Sequence, residues 1–181
     1  VREAIEILQG KHDGDLKEVS FTLASRMLVL SETCASEEEA RGKLREAIDS
    51  GEALRRLSRM IELQEGDSRI TGDVGRLPAA SRIVPLEAEE DGYISSFDTL
   101  SLGMSAMLLG AGRMKKEDRI DPAVGYWMRK RLGDRVERGE TIAEFHVNSE
   151  ENLEEAIRRF RSAVNISREK PGTPPLIYET M

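Results

Sequence analysis

Apolar residues recur every three or four positions through the first part of the chain, up to about residue 64. One such series is Leu16, Val19, Leu23, Met27 and Leu30. This spacing places the five side chains on one stripe of an α-helix. Asp13 or Asp15 is positioned to cap that helix, because a carboxylate accepts hydrogen bonds from first-turn amides. Ala4, Ile5 and Leu8 show the same spacing, so the sequence is predicted to begin inside or just before a helix.

Two further helices follow with short connections. Ser36 and Glu39 have the spacing of a capping box, and the next helix is predicted to bury Ala40, Leu44, Ala47 and Ile48. After a break at Ser50-Gly51, a third helix carries Leu54, Leu57, Met60 and Ile61, and Gly66 is its predicted C-terminal cap. The first part is therefore predicted to be a bundle-like helical layer without a convergent acid, base and nucleophile.

The pattern changes after a segment rich in Gly, Asp, Ser and Pro between residues 66 and 78. Strands are predicted around 83–86, 93–94, 124–128 and 141–147. Asp98 is the predicted cap of one helix, and Asn148 or Ser149 of a last helix that turns Leu153, Ile157 and Phe160 inward. The second half is therefore predicted to be a separate α+β domain, with domains at 1–75 and 76–181.

Composition excludes several classes of function. The chain has 181 residues, of which 39% are apolar, a net charge of -7 and a pI near 5.1. An acidic protein is a poor nucleic-acid binder, because such binding depends on Lys and Arg neutralising phosphates. The sequence shows no apolar run long enough to span a membrane and no signal-peptide pattern, so a soluble, cytoplasmic protein is expected. Cys34 is the only cysteine and is expected to be a partly buried structural residue.

Few residues carry candidate chemistry. His12 and His146 are far apart and lack further ligands at metal-site spacing, so both are interpreted as structural. Four basic residues, Arg113, Lys115, Lys116 and Arg119, alternate with acidic ones and favour a solvated loop. The glycines at 110 and 112 are a weak nucleotide signal, because no strand precedes them. Glu3, near a helix start, is by itself typical of a solvated residue favoured by the helix dipole.

The segment from Gly133 to Val147 resembles the barrel of biotin- and lipoate-carrier domains. A carrier needs a lysine at the tip of the hairpin beyond this motif, but the next lysine after Gly139 is Lys170, and Lys115 lies upstream. The resemblance therefore implies a similar barrel-like sandwich without the modification. A non-catalytic binding or regulatory module with a biotinyl/lipoyl-like barrel remains the alternative function.

Several segments resemble, in the same order, the C-terminal portion of pyrimidine-nucleoside and thymidine phosphorylases. They are VREAIE from Val1, DGYI from Asp91, the segment from Leu108 that begins LLGAGR and runs to Gly139, DPAVG within it from Asp121, and PPLIYET from Pro174. The resemblance implies that 1–75 are the terminal helices of the phosphorylase α/β domain. Residues 76–181 would then be the C-terminal α+β domain, with a barrel-like sandwich of the hammerhead type.

The resemblance also implies a function for the parent enzyme. Members convert a pyrimidine nucleoside and phosphate to a free base and a pentose 1-phosphate, as homodimers and without an organic cofactor. Glu3 matches a glutamate that binds a monovalent cation, usually potassium. The loop after LLGAGR can become ordered when the active site closes. The phosphate and base motifs match no position here, so no catalytic residue is assigned, and the chain is expected to be inactive without the N-terminal portion of the enzyme.

Overall fold

The computed structural model describes residues 1–178, which form two compact units. One unit comprises residues 1–77 together with residues 175–178, and the other comprises Pro78–Pro174. The structure is 44% helical and 16% strand, which confirms the predicted α+β class. The assignment of 1–75 and 76–181 to two phosphorylase domains stays a prediction.

The first unit is helical. Its elements are α1 (Arg2–Leu8), α2 (Asp15–Leu30), α3 (Glu37–Asp49) and α4 (Glu52–Leu63), followed by short 3₁₀ turns at Ser68–Thr71 and Val74–Arg76. The capping box at the start of α3 is confirmed, because the Glu39 amide donates to Ser36 Oγ at 3.2 Å. Glu39 in turn accepts from the Ala35 amide at 2.9 Å. Gly51 has φ 74° and lies between α3 and α4, at the predicted break.

Of the caps predicted at α2 and α4, the first is wrong and the second is confirmed only in part. Neither Asp13 nor Asp15 caps α2, because the N-cap is Gly14, which has no side chain to accept a hydrogen bond. Asp13 instead pairs with Lys17 at 2.5 Å, one helical turn away. The left-handed residue after α4 is Glu65, with φ 61°, rather than Gly66. The Gly66 amide closes the helix end by donating to Ile61 O at 2.9 Å.

The apolar stripe of α2 exists but faces solvent. Leu16, Leu23, Met27 and Leu30 are all exposed, whereas the buried residues of α2 are Phe21 and Ser25. Of the predicted inward face of α3 only Ala40 is fully buried, and α4 buries no residue. Periodicity identified helix faces correctly but did not show which face meets a neighbour.

The second unit contains two three-stranded antiparallel sheets. Its elements are β1 (Arg82–Glu87), β2 (Gly92–Phe97), α5 (Thr99–Ala106), β3 (Gly125–Met128), β4 (Arg135–Val136), β5 (Thr141–Val147), α6 (Leu153–Ala163) and β6 (Val164–Ser167). One sheet has the order β1-β5-β3 and the other β4-β2-β6. The predicted strand positions are confirmed. Strand β6 was not predicted, because no Gly or Pro separates it from α6 in the sequence. The barrel-like sandwich stays a prediction.

Aromatic side chains form the centre of this unit. The rings of Phe145 and Phe160, both fully buried, lie 5.2 Å apart, and Tyr126 lies 5.3 and 5.0 Å from them. The Tyr126 hydroxyl donates to Leu102 O at 2.7 Å, which satisfies its polar group. Burial raises the pKa of Tyr126 to about 12. Ser105 of α5 donates to Ala156 O of α6 at 2.8 Å, so the two helices are joined by packing and by a buried hydrogen bond.

Of the helix caps predicted in this unit, that of α5 is correct and those of α6 are wrong. Asp98 caps α5, as predicted, by accepting from the amides of Leu100 and Ser101 at 3.1 Å each. The predicted caps of α6 are wrong, because α6 starts after Asn152, whose side chain makes no capping bond. Asn148 instead accepts from the Ser81 amide at 2.7 Å, since it lies at the end of β5 beside the start of β1.

Candidate functional site

Glu3 lies in the first turn of α1 with its carboxylate half exposed. Its Oε1 is 3.6 Å from Nε2 of His12, which is also half exposed. The chain reverses between them at Gly10, where φ is 70°. The pair is an ion pair only when His12 is protonated. The sequence gives no signal that relates His12 to Glu3, and only the turn at Gly10 brings the two together.

Glu3 offers a cation a single carboxylate. Within residues 1–178, no group of three or more His, Cys, Asp or Glu side chains is arranged to hold a metal ion. A large monovalent cation is bound by several oxygen atoms, and a hard cation prefers carboxylate and carbonyl ligands. The exposed carboxylate of Glu3 fits one position in such a set. Among the described residues, no cluster of acidic side chains supplies the remaining ligands.

The second candidate region is the loop from Gly110 to Pro122. It begins within a π-helical turn, Met107–Ala111, in which Gly110 has φ 100°. A left-handed glycine of this kind commonly ends a helix. The other end of the loop is tied back, because the Asp121 amide donates to Gly110 O at 3.0 Å. Asp121 Oδ2 also accepts from Asn148 Nδ2 at 2.7 Å, and this bond helps to hold the pKa of Asp121 below its usual value.

The basic side chains of this loop point into solvent. Arg113, Lys115, Lys116 and Arg119 are all exposed, and within residues 1–178 none of the four forms an ion pair. Asp118 forms hydrogen bonds within the loop: its Oδ2 accepts from the amides of Met114 and Lys115 at 2.9 and 2.8 Å. The structure therefore presents anchored loop ends and a cationic, solvated middle.

The connection between β3 and β5, called the glycine hairpin below, turns at two glycines. Gly133 and Gly139 both have φ 86°, a conformation that costs other residues energy. The segment between them contributes β4, which pairs with β2, and then leads into β5. Lys130 precedes the hairpin and donates to Arg135 O at 3.1 Å. A carrier lysine would have to lie at a hairpin tip after Gly139, where the sequence has none before Lys170.

The structure also locates the other residues considered in the sequence. Cys34 is a free thiol and is more deeply buried than predicted. His146 lies on β5, opposite Ile83 of β1 and Gly125 of β3. The PPLIYET segment lies only partly within the described residues, because Glu179 and Thr180 fall outside them.

In the described part of the chain, no helix is long and apolar enough to cross a membrane.

Comparisons with known proteins identify the family. Residues 93–167 match the pyrimidine nucleoside phosphorylase C-terminal domain. The chain is 40% identical over 178 residues to the pyrimidine-nucleoside phosphorylase of Bacillus subtilis, a match that covers 98% of this chain and 41% of the relative. It is 38% identical over 179 residues to the enzyme of that name from Geobacillus stearothermophilus, covering 99% and 41%. The chain thus spans about two-fifths of the length of these relatives, and it belongs to the pyrimidine-nucleoside phosphorylase family as a C-terminal portion.

Proposed function

We propose that the chain is the C-terminal part of an enzyme that cleaves pyrimidine nucleosides with phosphate. The observation that carries this proposal is the similarity of nearly the whole chain to two proteins named pyrimidine-nucleoside phosphorylase. In the proposed reaction, a phosphate oxygen bonds to the anomeric carbon of the sugar as the bond to the base nitrogen breaks. The products are a pentose 1-phosphate and a free pyrimidine.

The two proposed substrates must be held side by side for this reaction. Correct positioning supplies much of the rate acceleration in a two-substrate reaction, and fixed charges stabilise the departing base and the cation-like sugar. No described side chain of this chain is assigned to either task. We therefore propose that the chain is inactive alone and supports a site whose phosphate and base ligands lie in the rest of the enzyme, which functions in the cytoplasm as a homodimer.

A chimera tests this function. The 181 residues replace the matching region of the Bacillus subtilis relative, and release of free base from uridine or thymidine is measured with phosphate present. We expect phosphate-dependent release by the chimera and none by the 181-residue chain alone. Release by the isolated chain, or a folded chimera without activity, would contradict the proposal.

We further propose that Glu3 is one ligand of a potassium ion that holds the phosphate site in shape. The partial exposure of its carboxylate supports this role, because an oxygen of Glu3 remains accessible to a cation. In the chimera, Glu3→Gln should raise the potassium concentration needed for half-maximal activity. Glu6→Gln, on the same helix, is the matched control and should leave the potassium curve unchanged. Identical curves for both variants would make Glu3 a solvated helix residue.

The loop from Gly110 to Pro122 is proposed to become ordered when substrates bind in the intact enzyme. Its exposed cations and few apolar contacts support this, because such segments have little local stability. Binding energy would then be used partly to order it. Cutting the chimera between Lys115 and Lys116 should reduce turnover and leave the melting temperature nearly unchanged. Full activity after cutting would make the loop a solvated connection.

A further inference from the structure

Asp121 joins the two ends of the loop from Gly110 to Pro122. Its amide donates to Gly110 O at 3.0 Å, which closes the base of the loop. Its Oδ1 accepts from the Ala123 amide at 2.9 Å, which fixes the chain where it leaves the loop. The second carboxylate oxygen, Oδ2, is therefore left for a partner outside the loop.

Asn148 is that partner, and it connects the loop to the sheet. Its Nδ2 donates to Asp121 Oδ2 at 2.7 Å, and its Oδ1 accepts from the Ser81 amide at 2.7 Å. Val147, the residue before it, is buried and pairs with Arg82, so β5 and β1 meet at this point. One side chain thus links the base of the loop to the ends of two paired strands. Only one orientation of the Asn148 amide gives both neighbours a complementary partner.

The middle of the loop has hydrogen bonds of a different kind. Asp118 accepts from the amides of Met114 and Lys115, which belong to the loop itself, and the basic side chains there are exposed. These bonds shape the tip of the loop but do not attach it to the sheet. The hydrogen bonds of Asp121 and Asn148 therefore determine where the base of the cationic segment lies.

We propose that Asp121 and Asn148 are positioning residues for phosphorolysis, because they hold the base of the cationic loop in the place from which it closes over the substrates. This inference rests on the proposed function, and the two residues act through the loop rather than on the substrates. With the base fixed, closure has to order only the residues between the two ends. The free energy consumed in ordering a segment grows with the number of residues ordered, and binding energy supplies it. Loss of the bond between Asp121 and Asn148 therefore lowers turnover.

Exchanging the two side chains tests this role in the Bacillus subtilis chimera. Asp121→Asn places two amide donors against each other, and a rotated Asn148 would leave the Ser81 amide without its acceptor. Asn148→Asp places two carboxylates against each other. Each single variant should lower kcat/KM roughly fivefold or more, the order expected when a hydrogen bond to a charged group is lost. In the double variant Asp121→Asn/Asn148→Asp, all three side-chain bonds form again with donor and acceptor exchanged. Its kcat/KM should return to within about twofold of the unsubstituted chimera.

A matched control and a cut loop distinguish positioning from a purely structural role. Asp91 also accepts from a distant amide, that of Arg138 at 2.7 Å, so Asp91→Asn should change kcat/KM less than about twofold. In the chimera cut between Lys115 and Lys116, Asp121→Asn should cause less than about twofold further loss, because a severed loop is no longer positioned as one segment. All rates are measured well below the melting temperature, where every variant is folded. An equal loss from Asp121→Asn in the cut and uncut chimeras would overturn the positioning role.

Amide exchange in the isolated 181-residue chain gives a second measurement that does not depend on catalysis. Exchange of the Asp121 amide and of the loop amides should be faster in each single variant and should return to the wild-type rate in the double variant. Unchanged exchange in the single variants would overturn the proposal, because the loop base would then be held by other contacts.

The combined results distinguish this inference from the proposed function. An active chimera in which both single variants keep full turnover would support the function and overturn the positioning role. A double variant as impaired as the single variants would also overturn it. A folded but inactive chimera would contradict the proposed function, whereas loop exchange that is accelerated in the single variants and restored in the double variant would still support the attachment of the loop by Asp121 and Asn148.

Discussion

The two compact units differ in how much core they have. Of the buried apolar residues in the described range, five belong to residues 1–77 and twelve to Pro78–Pro174. The second unit buries two phenylalanines completely, whereas the largest fully buried side chain of the first unit is Ile5. Folding stability depends largely on apolar area removed from water. The second unit therefore has the core of an independent domain, and the helical unit depends more on its surroundings.

The largest expected effect is the loss of a central ring in the second unit. Phe160→Ala removes a fully buried phenyl group that packs on Phe145 and Tyr126, which should cost about 3–5 kcal/mol. Leu23→Ala, on the exposed stripe of α2, should change the free energy of unfolding by no more than about 0.5 kcal/mol. Denaturant unfolding measures both. Equal losses would contradict the difference in core between the units.

The next largest effect concerns the hairpin of the second unit. Gly133 has φ 86°, and a Cβ placed there would lie 2.6 Å from Thr173 Cγ2. Gly133→Val should therefore cost on the order of 1–2 kcal/mol from backbone strain, with crowding added. Glu137→Ala, an exposed change in the same hairpin, should stay within about 0.5 kcal/mol. Thermal unfolding of the two variants compares them, and equal melting temperatures would refute the strained turn.

A smaller effect is expected at the capping box of the helical unit. Ser36→Ala removes the acceptor for the Glu39 amide and should cost about 1 kcal/mol. The control is Ser50→Ala, whose hydroxyl bonds only to Ala47 O at 3.4 Å. We expect the loss in the transition of the helical unit alone, followed by helical circular dichroism. A loss spread over both units would mean that they unfold as one.

The smallest effect is the acid dependence of the same box. The Ala35 amide, followed by Lys43, holds the pKa of Glu39 below its ordinary value of 4.5. Because the folded pKa is the lower one, the stabilising contribution is present above pH 4.5 and is lost as pH falls through the folded pKa. The melting-temperature difference between wild type and Glu39→Gln should therefore shrink below pH 4.5. Glu38→Gln, at the exposed neighbouring residue, is the control. If the melting temperatures of the two variants change in parallel with pH, the capping box does not contribute to the acid dependence.

Prediction from sequence succeeded where the signal is local. The Ser36–Glu39 box, the Asp98 cap and the break at Gly51 are correct because each depends on a few neighbouring residues. The caps assigned to Asp13, Asp15, Asn148 and Ser149 failed because the bonding partners of a polar side chain are not fixed by its position alone. A carboxylate or amide can bond to several partners, and Lys17, Asp121 or the Ser81 amide competed successfully.

The candidate site was predictable only in part. Glu3 was identified through a resemblance between sequences, and its role as a cation ligand stays a prediction. Its contact with His12 had no sequence signal, because nine positions and a left-handed glycine separate the two side chains. The cationic loop was visible in the sequence, but its tie between Asp121 and Gly110 required the fold.

The sequence by itself determined most of the helix and strand order, the break at Gly51 and the family, but not strand β6. These follow from periodicity, from the conformations that glycine allows and from similarity along the whole chain. Only the tertiary structure decided which apolar face of α2 is buried and which side chains meet around Phe160. Burial is a property of packing partners that are distant in sequence, so two apolar faces of one helix are indistinguishable until the neighbours are in place.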